Sequence, residues 1–221
     1  MIQFMNVSKT YELNGKTKVI AKDVSLTIPS KACVGLLGRN GTGKSTLMRM
    51  IAGTLAPSKG QIIHSGSVSW PVGFAGSFHP ELSGAQNTRF IARIYGCDTE
   101  ELVDFVDDFS ELGIHFHQPF RTYSSGMRSR LAFGVSMGVR FDTYLIDEVT
   151  SVGDASFQSR SRDLLTHRTR NAGAIVVSHA MGMIRQLCTS GAVLENGELT
   201  YFTDLEEAIA KHESNMKTET R

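Results

Sequence analysis

The sequence predicts an α/β fold with a mostly parallel β-sheet and an antiparallel β layer at its start. Short continuous apolar runs at residues 33–37, 143–146 and 174–177 have the composition of strands that are buried on both faces. Segments with the apolar spacing of amphipathic helices lie between these runs. Because strands that alternate with helices are joined by crossover connections, we expect them to pair in parallel.

Both ends of the chain carry patterns that are typical of antiparallel strands. Residues 1–30 alternate apolar and polar positions around a polar turn, and the apolar positions include Ile2, Phe4, Val24, Leu26 and Ile28. This alternation predicts the antiparallel layer. Residues 193–199 indicate a second hairpin, and residues 204–212 indicate a helix. The polar residues 214–221 predict a disordered tail.

Three further helices are marked by their spacing and their ends. Residues 45–52 have helical spacing and are followed by Gly53 as a stop. Residues 99–112 begin with Thr99 as the predicted cap and carry acidic side chains opposite an apolar face. A third helix is predicted over residues 125–138.

The composition limits the classes of protein to which the chain can belong. Its 221 residues suffice for one domain with a sizeable core, and its net charge of +1 provides no broad attraction to nucleic acid or anionic lipid. No apolar stretch approaches the roughly 20 residues that a membrane helix needs. Three separated cysteines and the lack of a secretory leader favour a reducing cytosol. We therefore expect no nucleic-acid partner and no direct membrane insertion.

The segment at residues 38–45, here called the phosphate loop, matches G-x-x-x-x-G-K-[ST] between a predicted strand and a predicted helix. In this context, glycines let backbone N–H groups surround phosphate oxygens, Lys44 reaches the β- and γ-phosphates, and Ser45 ligates Mg²⁺. The competing interpretation is a glycine-rich turn beside an ordinary helix. We assign to nucleotide binding Gly38, Asn40, Gly41, Gly43, Lys44, Ser45 and Thr46.

A pair of acidic residues ends the apolar run near residue 146. Asp147 suits the Mg²⁺ shell, and Glu148 suits the orientation and partial deprotonation of an attacking water. By themselves, two acidic residues after an apolar run more often mark the end of a strand, where their charged side chains are exposed to solvent. The phosphate loop in the same chain favours the catalytic interpretation, because carboxyl ends of parallel strands are where such sheets bind ligands.

A turn at residues 123–127, here called the signature turn, has the sequence Tyr-Ser-Ser-Gly-Met and precedes the helix predicted over residues 125–138. Its N–H groups would present an anion site at the start of that helix. Serines before a helix are also the usual caps. The residues alone favour the helix cap over the anion site.

With these motifs in this order, the sequence resembles the ABC-transporter ATPase family over nearly the whole length of the chain. The acidic pair follows the signature turn by about twenty residues, the segment Ser-Val-Gly-Asp at residues 151–154 comes next, and His179 follows the strand over residues 174–177. The family signature is usually Leu-Ser-Gly-Gly-Gln. Ser124 and Gly126 keep its two key residues, whereas the other positions of the turn depart from it.

The resemblance implies a single ABC nucleotide-binding domain over residues 1–221. Its P-loop NTPase core would carry the mostly parallel sheet, the N-terminal antiparallel β layer and a small helical subdomain inserted at about residues 78–138. It also implies a head-to-tail homodimer that holds two ATP molecules with Mg²⁺, each between the phosphate loop of one chain and the signature turn of the other.

The resemblance further implies roles for individual residues. His179 would contact the γ-phosphate, Glu148 and Lys44 would complete the catalytic set, and Asp154 would belong to the loop through which one site senses the other. Tyr11 would stack on adenine, because aromatic faces bind bases. The alternative for Tyr11 is a half-buried strand residue, and a lone histidine after a strand is most often structural.

One family feature is missing. The family places a glutamine after the strand that follows the phosphate loop, where it binds Mg²⁺ and reports on the membrane partner. Ungapped counting puts Phe74 at that position here, and Gln86 lies too far along the chain. Either a nearby group such as Ser77 or a water takes the metal position, or coupling is arranged differently.

Residues 78–84, together with the signature turn and residues 147–149 and 151–154, resemble the ATPases that export bacterial capsular polysaccharide and related surface glycans. The resemblance implies a separate membrane permease and a place on the cytoplasmic side of the bacterial inner membrane. Relatives that export O-antigen often carry an additional C-terminal domain, so an end at Arg221 favours the capsule type. Aromatic residues of the inserted lobe are either core or a docking surface for the permease, and they include Phe78, Phe90, Tyr95, Phe105, Phe109, Phe116 and Phe120.

Four alternatives compete with this interpretation. The first is an exporter ATPase for O-antigen or teichoic acid. A soluble ABC ATPase acting on nucleic acid or the ribosome would usually carry two such domains or a long coiled coil. A nucleotide switch would not need the water-activating Glu148, and a P-loop kinase would not explain the signature turn and His179.

Overall fold

The computed structural model describes residues 1–13, 15–147 and 154–218. Among these residues, the first unit comprises 1–71, 141–147 and 169–218, and the second unit comprises 72–140 and 154–168. In the described ranges, no helix is both long enough and apolar enough to cross a bilayer.

The strands belong to the first unit, and the helices are distributed over both units. The strands are β1 (Ile2–Leu13), β2 (Lys16–Ile28), β3 (Cys33–Leu37), β4 (Lys59–His64), β5 (Val68–Pro71), β6 (Thr143–Asp147), β7 (Gly173–Val177), β8 (Ser190–Glu195) and β9 (Glu198–Phe202). The helices are α1 (Lys44–Ile51), α2 (Gly84–Tyr95), α3 (Thr99–Ser110), α4 (Ser125–Gly138), α5 (Ala155–Asn171), α6 (Met181–Leu187) and α7 (Leu205–Thr218).

The first unit contains the mostly parallel sheet that the sequence predicts. Its described strands follow the order β5-β6-β7-β3-β8-β9, and only β9 runs antiparallel to its neighbour. Strands β3 and β7 are buried at every position, which explains their continuous apolar sequences. The arrangement brings the carboxyl ends of β3, β6 and β7 to one edge of the sheet, where ligands bind in open α/β folds.

The antiparallel layer is also confirmed. Strand β1 pairs with β2 on one side and with β4 on the other, although the sequence analysis did not assign β4. Phe4 and Val7 of β1 share one buried cluster with Leu47 of α1 and Leu145 of β6. This cluster holds α1 between the two sheets, so the helix that follows the phosphate loop has a fixed support. The predicted turn includes Asn14, which lies outside the described residues.

The second unit packs its helices around aromatic side chains. The ring of Phe109 from α3 lies 5.7 Å from the ring of Phe133 on α4 and 5.3 Å from the ring of Phe157 on α5, measured between centroids. All three side chains are buried. Helix α4 has the predicted bounds, and its cap Ser124 accepts a hydrogen bond from the N–H of Met127 at 3.2 Å.

Two predicted helix ends were wrong. Asp98, and not Thr99, caps α3, because its carboxylate accepts the N–H groups of Glu100 and Glu101 at 3.0 and 2.9 Å. Because the Asp98 carboxylate, one position earlier, satisfies these first-turn donors, Thr99 is already helical. Helix α7 continues to Thr218 and passes the predicted end near residue 212, since residues 211–217 contain no Gly or Pro to stop it. Residues 219–221 of the predicted tail lie outside the described residues.

Candidate functional site

A cavity of about 830 Å³ opens in the first unit and includes the carboxyl ends of β6 and β7 and the start of α1; we call it the edge cavity. Nine of the residues that the sequence analysis singled out line it, and three further residues join them. The lining consists of Tyr11, Lys18, Ile20, Asn40, Gly41, Gly43, Lys44, Ser45, Thr46, Asp147, Val177 and His179. Residues separated by more than 160 positions in the sequence therefore contribute to one concave site.

The phosphate loop needs its glycines for two different reasons. Gly38, Gly41 and Gly43 have φ angles of 155°, 82° and 108°, which residues other than glycine rarely adopt. Packing adds a second constraint at two of them. A Cβ at Gly43 would lie 2.5 Å from Cγ2 of Ile20, and a Cβ at Gly38 would lie 2.5 Å from the carbonyl oxygen of Leu194. The backbone of the loop is thus shaped by close neighbours on both sides.

The side chain of Lys44, the first residue of α1, folds back onto this loop. Its ammonium Nζ donates to the carbonyl oxygens of Gly38 at 2.6 Å and Arg39 at 2.9 Å, so it lies over the loop and beside the first turn of α1. That turn carries no acidic residue. The first N–H groups of a helix and a lysine ammonium together favour an anion, and phosphate is the anion that such loops bind.

Asp147 and His179 come from neighbouring parallel strands. Asp147 is the last residue of β6 and is the register partner of Val177, the last residue of β7. His179 follows two residues later, and both side chains line the edge cavity. The sheet therefore delivers a carboxylate and an imidazole to the place where the phosphate loop begins. Glu148 lies outside the described residues.

Tyr11 and Lys18 line the edge cavity from the antiparallel layer. They are cross-strand partners in the β1–β2 hairpin. The ammonium of Lys9 lies 5.2 Å from the centroid of the Tyr11 ring and donates to the carbonyl of Ala56 at 2.9 Å. Tyr11 was expected from the sequence, whereas Lys18, its cross-strand partner, and Ile20 were not.

If Tyr11 stacks on adenine, as the resemblance to ABC-transporter ATPases implies, replacing it by Ala should lower the affinity for ATP about fivefold, through the loss of one aromatic contact of about 1 kcal/mol. Tyr11→Phe should keep most of the affinity, since the ring provides the stacking face. Titration calorimetry with ATP measures both variants. The matched control is Tyr95→Ala, because Tyr95 is exposed on α2 in the second unit. An unchanged affinity in Tyr11→Ala would remove Tyr11 from the site.

Gly38, which was also assigned to nucleotide binding, does not line the edge cavity, and Ser124, Gly126 and Asp154 belong to the second unit and do not line it either. Ser124 and Gly126 are exposed at the start of α4, and a Cβ at Gly126 would meet no atom closer than 3.9 Å. Packing within the unit therefore gives no reason for a glycine there. Tyr123, where the family signature has leucine, is buried and donates its hydroxyl to the carbonyl of His115 at 2.7 Å.

Asp154 lies at the start of α5 and has partners in both α5 and α4. It accepts the N–H of Phe157 at 2.9 Å and an ion pair from Arg130 of α4 at 2.7 Å. The Phe157 N–H is the larger of these influences, and both hold the pKa of the Asp154 carboxyl below its usual value. Phe74, at the position where the family has glutamine, is 53% exposed, and its ring lies against Gly76.

The chain was compared with known proteins. The family model for ABC transporters matches residues 21–151. The chain is 41% identical to the polysialic acid transport ATP-binding protein KpsT of Escherichia coli over 96% of both chains. It is 41% identical to the capsule polysaccharide export ATP-binding protein CtrD of Neisseria meningitidis serogroup B, over 97% of this chain and 99% of the relative.

A relative that is matched over a smaller share of its length and a solved structure were also found. The teichoic acids export ATP-binding protein TagH of Staphylococcus haemolyticus is 38% identical over 88% of this chain and 75% of TagH. The solved dimeric structure of an ATP-binding cassette in a post-hydrolysis state, bound to ADP and Pi, superposes with a TM-score of 0.78. It is 19% identical and covers 93% of this chain and 99% of that chain. At this identity, the superposition supports the fold.

Proposed function

Because this chain belongs to the ABC transporter family, we propose that it binds and hydrolyses ATP to drive the export of a capsular or related surface polysaccharide through a separate membrane permease. The observation that carries the proposal is the edge cavity, which gathers the phosphate loop, Asp147 and His179 at one edge of a parallel sheet. We place the protein on the cytoplasmic side of the bacterial inner membrane, held there by the permease.

In this proposal, the first unit supplies the groups that hold and position the nucleotide. Lys44 and the first N–H groups of α1 bind the β- and γ-phosphates, and Tyr11 stacks on the adenine. The hydroxyl of Ser45 and the carboxylate of Asp147 line the same cavity and are oxygen ligands of the kind that Mg²⁺ prefers. Bound Mg²⁺ would neutralise charge on the phosphates during transfer.

Glu148 and His179 are assigned to the hydrolytic step. Glu148 directly follows Asp147 in the sequence, and we assign it to orienting the attacking water and accepting its proton. His179 is assigned to the γ-phosphate, because it lines the edge cavity next to Val177, the register partner of Asp147. These roles suit phosphoryl transfer, in which the protein mostly positions groups and stabilises charge.

Hydrolysis is proposed to require a head-to-tail homodimer. Ser124 and Gly126 are exposed at the N-terminus of α4, which carries no acidic residue in its first turn. The unexplained open space at Gly126 fits a turn that closes on the nucleotide of a second chain. In such a dimer, Asp154, which is ion-paired to Arg130 of the same α4, belongs to the segment through which the two sites communicate.

The choice of polysaccharide rests on the relatives. KpsT and CtrD match the chain over nearly the full length of both partners, whereas the chain spans only 75% of TagH. An exporter ATPase for teichoic acid or O-antigen remains the second candidate function. The match to the ABC transporter family over residues 21–151, which extends well beyond the phosphate loop, disfavours a P-loop kinase, and Glu148 disfavours a pure nucleotide switch.

Helix α2 carries the surface that we assign to permease docking. Phe90 and Ile94 lie one helical turn apart and are 52% and 57% exposed, and Tyr95 next to them is 45% exposed. Of the other aromatic residues considered for docking, Phe78, Phe109, Phe116 and Phe120 are buried and serve the core of the second unit. A contiguous exposed apolar row on one helix is typical of a protein-binding surface.

The double variant Phe90→Ser/Ile94→Ser is expected to lose the permease while it keeps ATP binding. In the bacterial host, deletion of the gene should remove polysaccharide from the cell surface and leave it accumulated inside. Wild-type protein should restore export, and the double variant should restore less than about a tenth of it, since exposed apolar residues supply much of such interfaces. Surface polysaccharide and permease recovery on affinity purification are the measurements.

The matched control is Met5→Ser/Ile63→Ser, which removes two apolar side chains of about 40% exposure from β1 and β4 of the first unit. It should purify with the permease and restore export. Surface polysaccharide that persists after deletion of the gene would contradict the proposed function. Full permease recovery with the α2 variant would contradict only the docking surface.

A further inference from the structure

Helix α7 packs closely on the sheet of the first unit. A Cβ at Gly191 of β8 would collide with the Cβ of Ala208, and a Cβ at Gly35 of β3 would lie 3.4 Å from Cδ1 of Leu205. The side chains of Leu205, Ala208 and Ile209 are buried. The N-terminal half of α7 is therefore fixed in place by strands that run toward the phosphate loop.

The C-terminal half of α7 reaches that loop. Nη2 of Arg39, the second residue of the phosphate loop, donates to the backbone carbonyl of Asn215 at 2.6 Å. Asn215 lies in the last turn of α7, where carbonyl groups carry the negative end of the helix dipole. A guanidinium at this end forms a charge-assisted hydrogen bond, which is stronger than a neutral one.

Arg39 links α7 to Lys44. Its carbonyl oxygen accepts Nζ of Lys44 at 2.9 Å and the hydroxyl of Thr42 at 2.9 Å. The side chain of Arg39 is thus anchored on α7, while its backbone holds the ammonium that we assign to the phosphates. A change in the position of α7 would move the carbonyl on which Lys44 rests.

His212 of α7 lies within electrostatic range of this region. Burial, and then the positive charge of Lys44, hold the pKa of the half-buried imidazole below its usual value. Its neutral form adds no positive charge next to Lys44 at neutral pH. Arg185 of α6 also donates to the Glu206 carboxylate of α7 at 2.8 and 3.0 Å. Helix α7 therefore contacts both the phosphate loop and the helix that follows His179.

We propose that Arg39 is a positioning residue: through its bond to the C-terminal turn of α7, it holds the phosphate loop in the shape that binds nucleotide. The inference deepens the proposed function and rests on it. It assigns to α7 a share of the affinity for ATP and ADP, although α7 itself does not line the edge cavity. Because Arg39 acts on loop shape, its loss changes nucleotide binding more than it changes turnover of the bound nucleotide.

The first test replaces Arg39 by Gln in the full chain and measures ATP and ADP binding together with steady-state hydrolysis. The dissociation constants and KM should rise about tenfold, as expected for the loss of a hydrogen bond to a charged group, while kcat changes by less than about twofold. Arg39→Lys should recover part of the affinity, because an ammonium also donates to helix carbonyls. Arg49→Gln, at an exposed position of α1, is the control and should bind as wild type.

The second test is a double-mutant cycle between Arg39→Gln and Asn215→Pro. Proline at residue 215 disrupts the last turn of α7 and displaces the carbonyl that Arg39 contacts. The two changes should weaken binding by less together than the sum of their separate effects, because they break the same contact. Circular dichroism and thermal unfolding verify that each variant is folded. If Asn215→Pro does not fold, the partial recovery of affinity in Arg39→Lys tests the contact instead.

The outcomes separate the inference from the proposed function. Wild-type affinity in a folded Arg39→Gln variant, or additive effects in the cycle, would overturn the role of α7. Neither result would affect the edge cavity as the nucleotide site. If the wild-type chain itself fails to bind ATP, the proposed function is wrong.

Discussion

Replacing Lys44 by Ala is expected to lower the affinity for ATP about a hundredfold or more. The ammonium lies over the phosphate loop, 2.6 Å from the carbonyl of Gly38, and is therefore placed to exchange loop carbonyls for phosphate oxygens. Each hydrogen bond between charged groups contributes about 1.5 to 3 kcal/mol, and two such bonds account for the expected loss. Titration calorimetry with ATP and ADP, in the presence and absence of Mg²⁺, measures the effect.

The matched control for this experiment is Lys22→Ala. Lys22 is exposed on β2, in the same layer as Tyr11 and Lys18, but it does not line the edge cavity. Its removal changes the net charge by the same amount and should leave the affinity for nucleotide within about twofold of wild type. An undiminished affinity in Lys44→Ala would mean that residues 38–45 do not bind phosphate, and the proposed function would fail with it.

Replacing Glu148 by Gln is expected to abolish ATP turnover and to leave ATP binding intact. The amide keeps the size of the side chain but cannot accept the proton of the attacking water, and loss of a general base typically costs about 10²- to 10⁴-fold in rate. Because hydrolysis then no longer releases the closed state, an ATP-dependent dimer should accumulate. Phosphate release measures turnover, and light scattering on a sizing column measures the dimer.

Glu198→Gln is the control for the loss of a carboxylate, because Glu198 is exposed at the start of β9. It should hydrolyse ATP at the wild-type rate and form no stable dimer. Unchanged hydrolysis in Glu148→Gln would contradict the assignment of the base. Lost hydrolysis without a dimer would preserve the base but contradict the proposal that ATP closes two chains on each other.

The edge-cavity residues that could be predicted from the sequence are those encoded by local patterns. The phosphate loop and the end of β6 each consist of a few adjacent residues whose types are required by their chemistry. Lys18 and Ile20 were missed because they reach the edge cavity through pairing between strands. Tyr11 opposes Lys18 across the hairpin, and Ile20 packs against Gly43, and neither relation is visible in residue spacing.

Helices α2 and α5 were not predicted, and their burial patterns explain why. The buried row of α5 includes Ser161 and Thr169 beside Phe157 and Leu165, so only half of its positions are apolar in sequence. In α2 the pattern is partly inverted, because Asn87 and Thr88 are buried while Phe90 and Ile94 are exposed. The Asn87 amide is satisfied by the carbonyls of His79, Leu82 and Ser83, which allows a polar side chain inside the fold.

The pairing of Asp147 with Val177 has a consequence for the tolerance of this protein to mutation. A strand advances about 3.3 Å per residue, so a slip of one position would carry the Asp147 carboxylate out of reach of its partners and reverse the face on which it projects. Leu145 and Ile175, which are buried partners in the same ladder, resist that slip. The position of the Asp147 carboxylate therefore depends on apolar residues that do not line the edge cavity. Selection for activity would act on them as strictly as on the charged groups.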